Sequence, residues 1–449
     1  MPVTTDSVEN PDGTTCATET PHITTHKAKI RNNDADAFMG YLKSGSGGSR
    51  RSSHDISRTN HPESGESRNI RTGRAVGNLH SPMKIRSITL YRADIRMKEP
   101  FRIATMTVDV AQCVYVAVLT DDGRVGWGEA NPYWRIVGET QNTVLAAGAD
   151  LARLLIGSDP TRIHACHRTM AGFLAGNTTA RSMFEMALWD LLAQSCGAPL
   201  WKVLGGTRAP IPTDRTVGID TPENMARAAV GYRDRGFPAV KLKIGRDPAT
   251  DVRAVRAVRA AVGPDIPLRI DANQGFDATT AARVLRELES TDIQYCEQPV
   301  PAADVDGLAF VRSRTRIPIM ADEAVFTAVD ASRLAKSGAC DYMNLKLSKT
   351  GGIAEALRAS AVAEAAGIRC AIGCMTESRL GLTAAAHFAN ACGNVVFADL
   401  DGADFHAEDP VVGGITYGND GTVLAPESPG LGAHIHPDFL ARCATTVIE

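Results

Sequence analysis

Ten cysteines are spread over 449 residues without a single Cys-x-x-Cys pair or regular framework, in a chain too long to need covalent staples. That excludes a disulfide scaffold, argues against a thiolate zinc site, and predicts a reduced, cytoplasmic protein. No run of 18 apolar residues occurs, and the amino terminus has no apolar segment after its charges, so neither a membrane span nor an export signal is expected. Charge of one sign is also missing. A net charge of −3 provides no electrostatic basis for nucleic acid or an anionic membrane as partner.

Residues 1–82 lack a periodic apolar pattern and are rich in Thr, Ser, Asn, Gly, Arg and His, with Ser-Gly-Ser-Gly-Gly-Ser at 44–49. Such a segment buries too little surface to offset its ordering entropy and is expected to be disordered, with Met83 the natural beginning of the fold. A regulatory or docking tail is the functional alternative.

From Met83 the texture changes. Ile85 to Ile95 alternates, and Ala111–Leu119 turns through Asp121-Asp122-Gly123 into Val125–Gly128, a hairpin by its turn chemistry. Helices are predicted at Thr140–Leu155 and Thr178–Cys196, the second capped by Asn177 and closed by Gly197. This α+β domain spans 83–207 and is completed by about 408–449. Its loops 100–108 and 130–139 carry Phe101, Arg102, Met106, Tyr133 and Trp134, apolar enough to cover a substrate or to pack between domains.

Residues 208–407 follow another rhythm. Short apolar runs end at Thr216, Lys241, Asp271, Glu297, Asp322, Lys346, Gly373 and Asp399, each but the last followed by helix-forming sequence, a period of about 25 residues that marks parallel βα units. Eight such units close into an α/β barrel with its reacting groups at the carboxyl ends of the strands. Asp271, Glu297 and Asp322 end three consecutive strands, and three oxygen ligands without His or thiolate suit a hard cation, Mg²⁺ by default. Paired with lysines, the same trio would be a structural ion network.

Lys241 and Lys243 share a strand face; if that face is the interior, each disfavours the other's charge, and the pKa of at least one is expected to fall toward that of a general base. Lys346 ends the strand diametrically opposite. A substrate held between two lysines loses a proton to one and regains it from the other, and a divalent cation stabilises the intervening ene-diolate.

Lys-Leu-Lys at 241–243, Asp-Ala-Asn-Gln-Gly at 271–275, Glu-Gln-Pro at 297–299, Met-Ala-Asp-Glu at 320–323 and Asn-Leu-Lys-Leu-Ser-Lys-Thr-Gly-Gly at 344–352 resemble the muconate-lactonizing subgroup of the enolase superfamily. The likeness extends from Met83 to about Gly432, including Gly-Trp-Gly-Glu-Ala at 126–130. It implies a (β/α)7β barrel, a modified TIM barrel, with an α+β capping domain. It also implies metal on Asp271, Glu297 and Asp322, Lys243 and Lys346 as acid/bases with Lys241 assisting, and Asn273 behind the ligands.

Within the subgroup the chain looks most like the dipeptide epimerases. Gly373-Cys374-Met375-Thr376-Glu377-Ser378 resembles their strand-seven segment, and Asp399-Leu400-Asp401 their Asp-x-Asp pair for the dipeptide ammonium. Cys374, Met375, Thr376, Asp399, Asp401, Lys241 and Thr216 are thus expected near the substrate, with Met106 where epimerases acting on Ala-Glu carry Arg. Carboxylates left without an ammonium would be unpaired, which favours a dipeptide, inverted at its C-terminal α-carbon, over the substrates of N-acylamino acid racemisation, o-succinylbenzoate synthesis or muconate cycloisomerisation. A non-catalytic binding protein is the remote alternative, and a homo-oligomer is expected.

Overall fold

The computed structural model describes residues 83–449, so the expectation of disorder for residues 1–82 lies outside the described residues. Strands β1 (Ile85–Arg102), β2 (Thr107–Thr120) and β3 (Val125–Ala130) form an antiparallel sheet. Alternate residues of β1 and β2, among them Ile88, Leu90, Val116 and Val118, are buried against the helices Gln141–Leu155 and Thr178–Ser195. Glycine permits the closest contact: a Cβ on Gly126 or Gly128 would lie 2.3 Å from the Ala187 carbonyl oxygen or 1.9 Å from that of Met183. The Gly-Trp-Gly motif is therefore a packing requirement of the second helix on β3.

After β4 (Ile211–Pro212) come eight parallel strands: β5 (Arg215–Val217), β6 (Val240–Lys243), β7 (Leu268–Asp271), β8 (Ile293–Glu297), β9 (Ile319–Ala321), β10 (Tyr342–Leu345), β11 (Arg369–Ile372) and β12 (Val395–Ala398). They neighbour one another in chain order, and a parallel bridge from Thr213 to Ala398 joins the first to the last. Helices of eight residues or more follow seven of the strands, and the 3-10 turn Gly402–Phe405 follows the eighth. The barrel floor is filled by Tyr295, Tyr342 and Phe397, whose ring centroids lie 5.1 to 6.2 Å apart, beside a buried Arg269–Asp214 pair at 2.8 Å.

β13 (Val411–Gly413), β14 (Thr416–Tyr417), β15 (Thr422–Leu424), β16 (Ala433–Ile435) and β17 (Ala444–Ile448) complete the chain. Of the segment 408–449, which was expected to complete the first domain, only β17 joins the cap sheet, along β1; β15 pairs with β4 at the entry to the barrel, and β13 with β16. Among the described residues, no helix is long and apolar enough to cross a membrane.

The cap on helix Thr178–Ser195 corrects a sequence expectation. Asn177 has φ 46°, the left-handed region, and makes no capping bond, because an N-cap needs extended backbone to aim its side chain at the first turn. Glu139, distant in sequence, takes the role: its carboxylate accepts from Thr179 N at 2.9 Å and Ala180 N at 3.1 Å. Other cap-domain acids reach the barrel in the same way. Glu129 accepts from Ser378 N and Gly381 N at 2.8 Å each, at the start of helix Arg379–Ala391, and Glu185 accepts from Ala354 N at 2.6 Å, at the start of helix Ile353–Ala365. Carboxylates at helix amino termini satisfy free N–H groups and oppose the helix dipole, so they fasten cap to barrel with direction as well as strength.

Candidate active site

Period-2 alternation and strand register bring the charges together. Lys243 pairs in register with Asp271, and Asp271 with Glu297, so their side chains leave the sheet on one side. All are buried. Lys241 is the hub: Nζ lies 2.7 Å from Glu297 Oε2, 2.8 Å from Asp399 Oδ2 and 3.4 Å from Asp271 Oδ2. Lys243 Nζ is 2.5 Å from Asp271 Oδ2. Four strands round the barrel, Lys346 Nζ is 2.7 Å from Asp322 Oδ2.

The turns after the ligand strands are shaped for the same purpose. Asn273 (φ 39°), Gln274 (φ 68°) and Gln298 (φ 34°) hold left-handed backbone that only glycine adopts freely, so surrounding bonds maintain it. The Gln298 side-chain oxygen accepts from Asp322 N at 2.9 Å and Ala324 N at 3.1 Å. Asn344 Nδ2 donates to Glu297 Oε1 at 2.7 Å, and Asn273 Nδ2 to Glu323 Oε1 at 3.2 Å.

Lys349 had no expected role, yet its fully buried Nζ is 2.5 Å from Asp322 Oδ1, 2.9 Å from the Asn344 carbonyl oxygen, and bonded to the Asp322 carbonyl. Its signal was its place three residues after Lys346, one helical turn on. Asn344 could have been found by period-2 alternation from Lys346 along β10.

For Lys241 the electrostatics run opposite to the expected depression. Burial alone would lower the Lys241 pKa, but Asp399, Glu297 and Asp271 outweigh it and hold the ammonium well above its ordinary value. Lys346 is likewise raised against burial, by Asp322 and Glu297. The lysine neighbour counts for less than the carboxylates. Glu297 is raised by burial and Asp271, whereas Asp322 is lowered by Lys346 and Lys349 despite burial. Glu323 is pushed up to about 8 by burial and by Asp322 and Asp271.

Five buried oxygens here have no hydrogen-bond donor: Asn273 Oδ1, Glu297 Oε2, Asp322 Oδ1, Glu323 Oε2 and Asn344 Oδ1. Two of them touch ammonium groups, Glu297 Oε2 at 2.7 Å and Asp322 Oδ1 at 2.5 Å, but without hydrogen-bond alignment. A surplus of acceptors in one buried place fits a hard cation.

The second pole lies beyond β12. Among the described residues, ligand atoms of Cys374, Asp399 and Asp401 all lie within 4.8 Å of one another. Each aspartate has one oxygen engaged within the protein: Asp399 Oδ2 is held by Lys241 Nζ at 2.8 Å, and Asp401 Oδ2 by Thr216 N at 2.7 Å and Arg215 Nη1 at 3.2 Å. Burial and Asp399 push Asp401 up to about 6.

Thr216 thus contributes its backbone N–H to Asp401. Thr376 ties barrel to cap, its amide and hydroxyl donating to Asn131 Oδ1 at 3.2 and 3.0 Å and its hydroxyl accepting from Tyr133 at 3.2 Å. Cys374 and Met375 are buried, and Met375 N donates to Glu377 at 2.6 Å. Met106 is half-buried on the main core, in a loop held by Arg246 Nη2 on the Ile103 carbonyl at 2.8 Å. Trp134 is 47% exposed and covers less than expected.

Comparison with known proteins agrees with this geometry. Residues 86–205 match the mandelate racemase / muconate lactonizing enzyme N-terminal domain, and residues 224–439 the enolase C-terminal domain-like family. A D-Ala-D/L-Ala epimerase of Cytophaga hutchinsonii is 41% identical over 360 residues, 80% of this chain and 98% of that one. An L-Ala-D/L-Glu epimerase of Clostridium acetobutylicum is 39% identical over 353 residues, 78% of this chain and 98% of that one. The crystal structure of the Cytophaga hutchinsonii dipeptide epimerase, complexed with Mg and D-Ala-L-Val, superimposes with a TM-score of 0.81 at 40% identity, covering 82% of this chain and all of the other.

Proposed function

The chain belongs to the mandelate racemase / muconate lactonizing enzyme family, with its enolase-like barrel, and from that premise we propose that it is a Mg²⁺-dependent dipeptide epimerase inverting the α-carbon of the C-terminal residue. The observation that carries the reading is the opposition of Lys243 and Lys346, four strands apart on a closed eight-stranded barrel with Asp271, Glu297 and Asp322 between them. Those carboxylates would hold the cation, which when bound supplies positive charge to the substrate carboxylate as the α-proton leaves.

One lysine takes the proton from one face and the other delivers a proton to the opposite face, and a cation held by Asp271, Glu297 and Asp322 would offset the carboxylate charge that otherwise keeps Lys346 protonated. Lys241, bound by three carboxylates, stays charged and adds a fixed positive field beneath the same carboxylate. Asp399 and Asp401 face the amino-terminal end of the dipeptide. Nine free cysteines among the described residues, most of them buried, support a reducing cytoplasm as the location.

The test is a screen of L,L-dipeptides with Mg²⁺ in D₂O. Deuterium at the C-terminal α-carbon together with the epimeric product is expected; exchange confined to another carbon, or undiminished in metal-free protein, would refute the reading.

A further inference from the structure

Strand β5 has two sides. Thr216 pairs in register with Lys241 and so faces the lysine-lined interior, whereas its neighbours Arg215 and Val217 leave the strand on the other side, toward helix Pro222–Asp234. Between that side of β5, the helix and cap residues 98–102 lies a cavity of about 380 Å³. Its walls are largely apolar: the Phe101 and Phe405 rings stand 4.7 Å apart, and Met225 and Ala228 line it from the helix.

The polar wall is Arg215, whose side chain is 5% exposed. Nη1 donates to Asp401 Oδ2 at 3.2 Å and Nη2 lies 3.1 Å from Asp404 Oδ2, but Nε, also buried, has no acceptor among the described residues. The guanidinium cannot turn to find one, because it is stacked 3.7 Å from the Phe405 centroid and 5.2 Å from that of Tyr232. A buried charged donor left without an acceptor is costly, and a ligand oxygen in the cavity would remove that cost. The rim favours an anion as well. Lys98 and Arg235 join Arg215 on the single carboxylate of Asp404, and Arg102 stands beside them, while the acids Glu99 and Asp220 are exposed to water.

We propose that this cavity is a second small-molecule site, outside the barrel interior that holds the lysines and metal ligands, for a carboxylate carried on a flat apolar body. The carboxylate accepts from Arg215 Nε, and the apolar body fills the space between Phe101, Phe405 and the helix. The volume lies in the range of small-molecule pockets, and the lining, apolar with a few fixed polar groups, is of the kind that orients a ligand. Binding here makes and breaks no bond, and it holds whether or not the chain epimerises dipeptides.

The test is calorimetric titration of the full chain with phenylacetate, and with acetate and benzylamine, each of which carries half of the recognition. Phenylacetate is expected to bind at least about tenfold tighter than either. Arg215→Lys keeps a charge beside Asp401 and Asp404 but loses the guanidinium fork, and should weaken phenylacetate about tenfold. Ala228→Trp fills the cavity and should abolish binding; should that variant fail to fold, Arg235→Met, a change at an exposed residue, should still weaken binding severalfold. Saturating Mg²⁺ and L-Ala-L-Leu should leave the phenylacetate affinity within about threefold. Acetate or benzylamine binding as tightly as phenylacetate would overturn the inference, as would an affinity unmoved by the cavity and arginine variants, absence of phenylacetate binding, or its displacement by the dipeptide.

Discussion

At the scale of single residues, the lysines differ in what surrounds them, and the differences predict separate phenotypes. Among the described residues, the Lys243 ammonium pairs with Asp271 and the Lys346 ammonium with Asp322. Replacing either with Ala should slow epimerisation by about 10³-fold or more. Each variant should still exchange the α-proton of the one diastereomer that faces the surviving lysine, as deuterium incorporation followed by NMR would show; loss of exchange with both diastereomers in both variants would contradict the two-base scheme. Lys349 makes a different contribution, gripping Asp322 by side chain and carbonyl. Lys349→Met leaves that carboxylate with one cation fewer, so in chelator the melting temperature should fall, and Mg²⁺ should restore more stability to the variant than to wild type. Equal Mg²⁺-induced shifts would remove Lys349 from the metal site. The strand-end charges were legible because an ionisable residue closing an apolar run has few uses other than chemistry. Lys349 was not read, because a lysine in a helical turn has the pattern of a solvent-exposed one, and its place one turn after Lys346 was the sequence's sole sign that it points inward.

At the scale of elements, short-range rules explain starts that a neighbouring residue caps and miss those capped from afar. Thr140 caps its own helix by a reciprocal pair with Thr143, as local sequence implies, whereas Glu139 caps the helix beginning 39 residues later. Glu139→Ala should therefore cost about 1–2 kcal/mol in denaturant unfolding, and Asn177→Ala within about 0.5 kcal/mol of nothing. The reverse ranking would restore Asn177 as the cap. Helix Arg379–Ala391 carries a second dependence through His387, whose Nδ1 accepts from Trp201 N at 3.0 Å while Nε2 meets the Leu431 carbonyl at 3.1 Å. Burial lowers this imidazole to about 4. The unfolded chain binds the proton below about 6.5 while the fold resists it, so stability is present above that pH and lost as pH falls toward 4. Between pH 7.5 and 5 the stability gap between wild type and His387→Gln should narrow by about 2 kcal/mol, measured by denaturant unfolding at both values. A constant gap would mean that His387 titrates normally. Raised acids such as Asp190 and Glu377 act in the opposite direction, which is why the difference between the two proteins, and not the wild-type slope, isolates the histidine.

Across the whole molecule, the barrel was readable from its period and the cap only in outline. The return of β17 to β1 pairs residues more than 340 positions apart, and no local pattern announces a partner at that distance. The same limit applies to specificity, which arises where cap loops from the start of the chain meet a site built by its second half. The loop between β1 and β2 contributes Met106, half-buried on the core, and its nearest anchored cation, Arg246, is already bonded to the Ile103 carbonyl at 2.8 Å. Arg102 is exposed, its backbone carbonyl accepting from Ile219 N at 2.9 Å. A glutamate side chain at the C-terminal position would thus be desolvated beside Met106 without a counter-charge, at a cost of several kcal/mol, while leucine would bury apolar surface there. L-Ala-L-Leu is therefore expected to exceed L-Ala-L-Glu in kcat/KM by about tenfold or more, and Met106→Arg should narrow or reverse the preference. The relatives near 40% identity include epimerases named for alanine and for glutamate at this position, so overall likeness does not decide the matter and the loop residue must. Steady-state rates on the two dipeptides, with wild type and Met106→Arg side by side, decide it: a wild-type preference for glutamate would mean that Arg102 or Arg246 turns into the site as the clamp, and a Met106→Arg variant with unaltered preference would place the C-terminal side chain away from this loop.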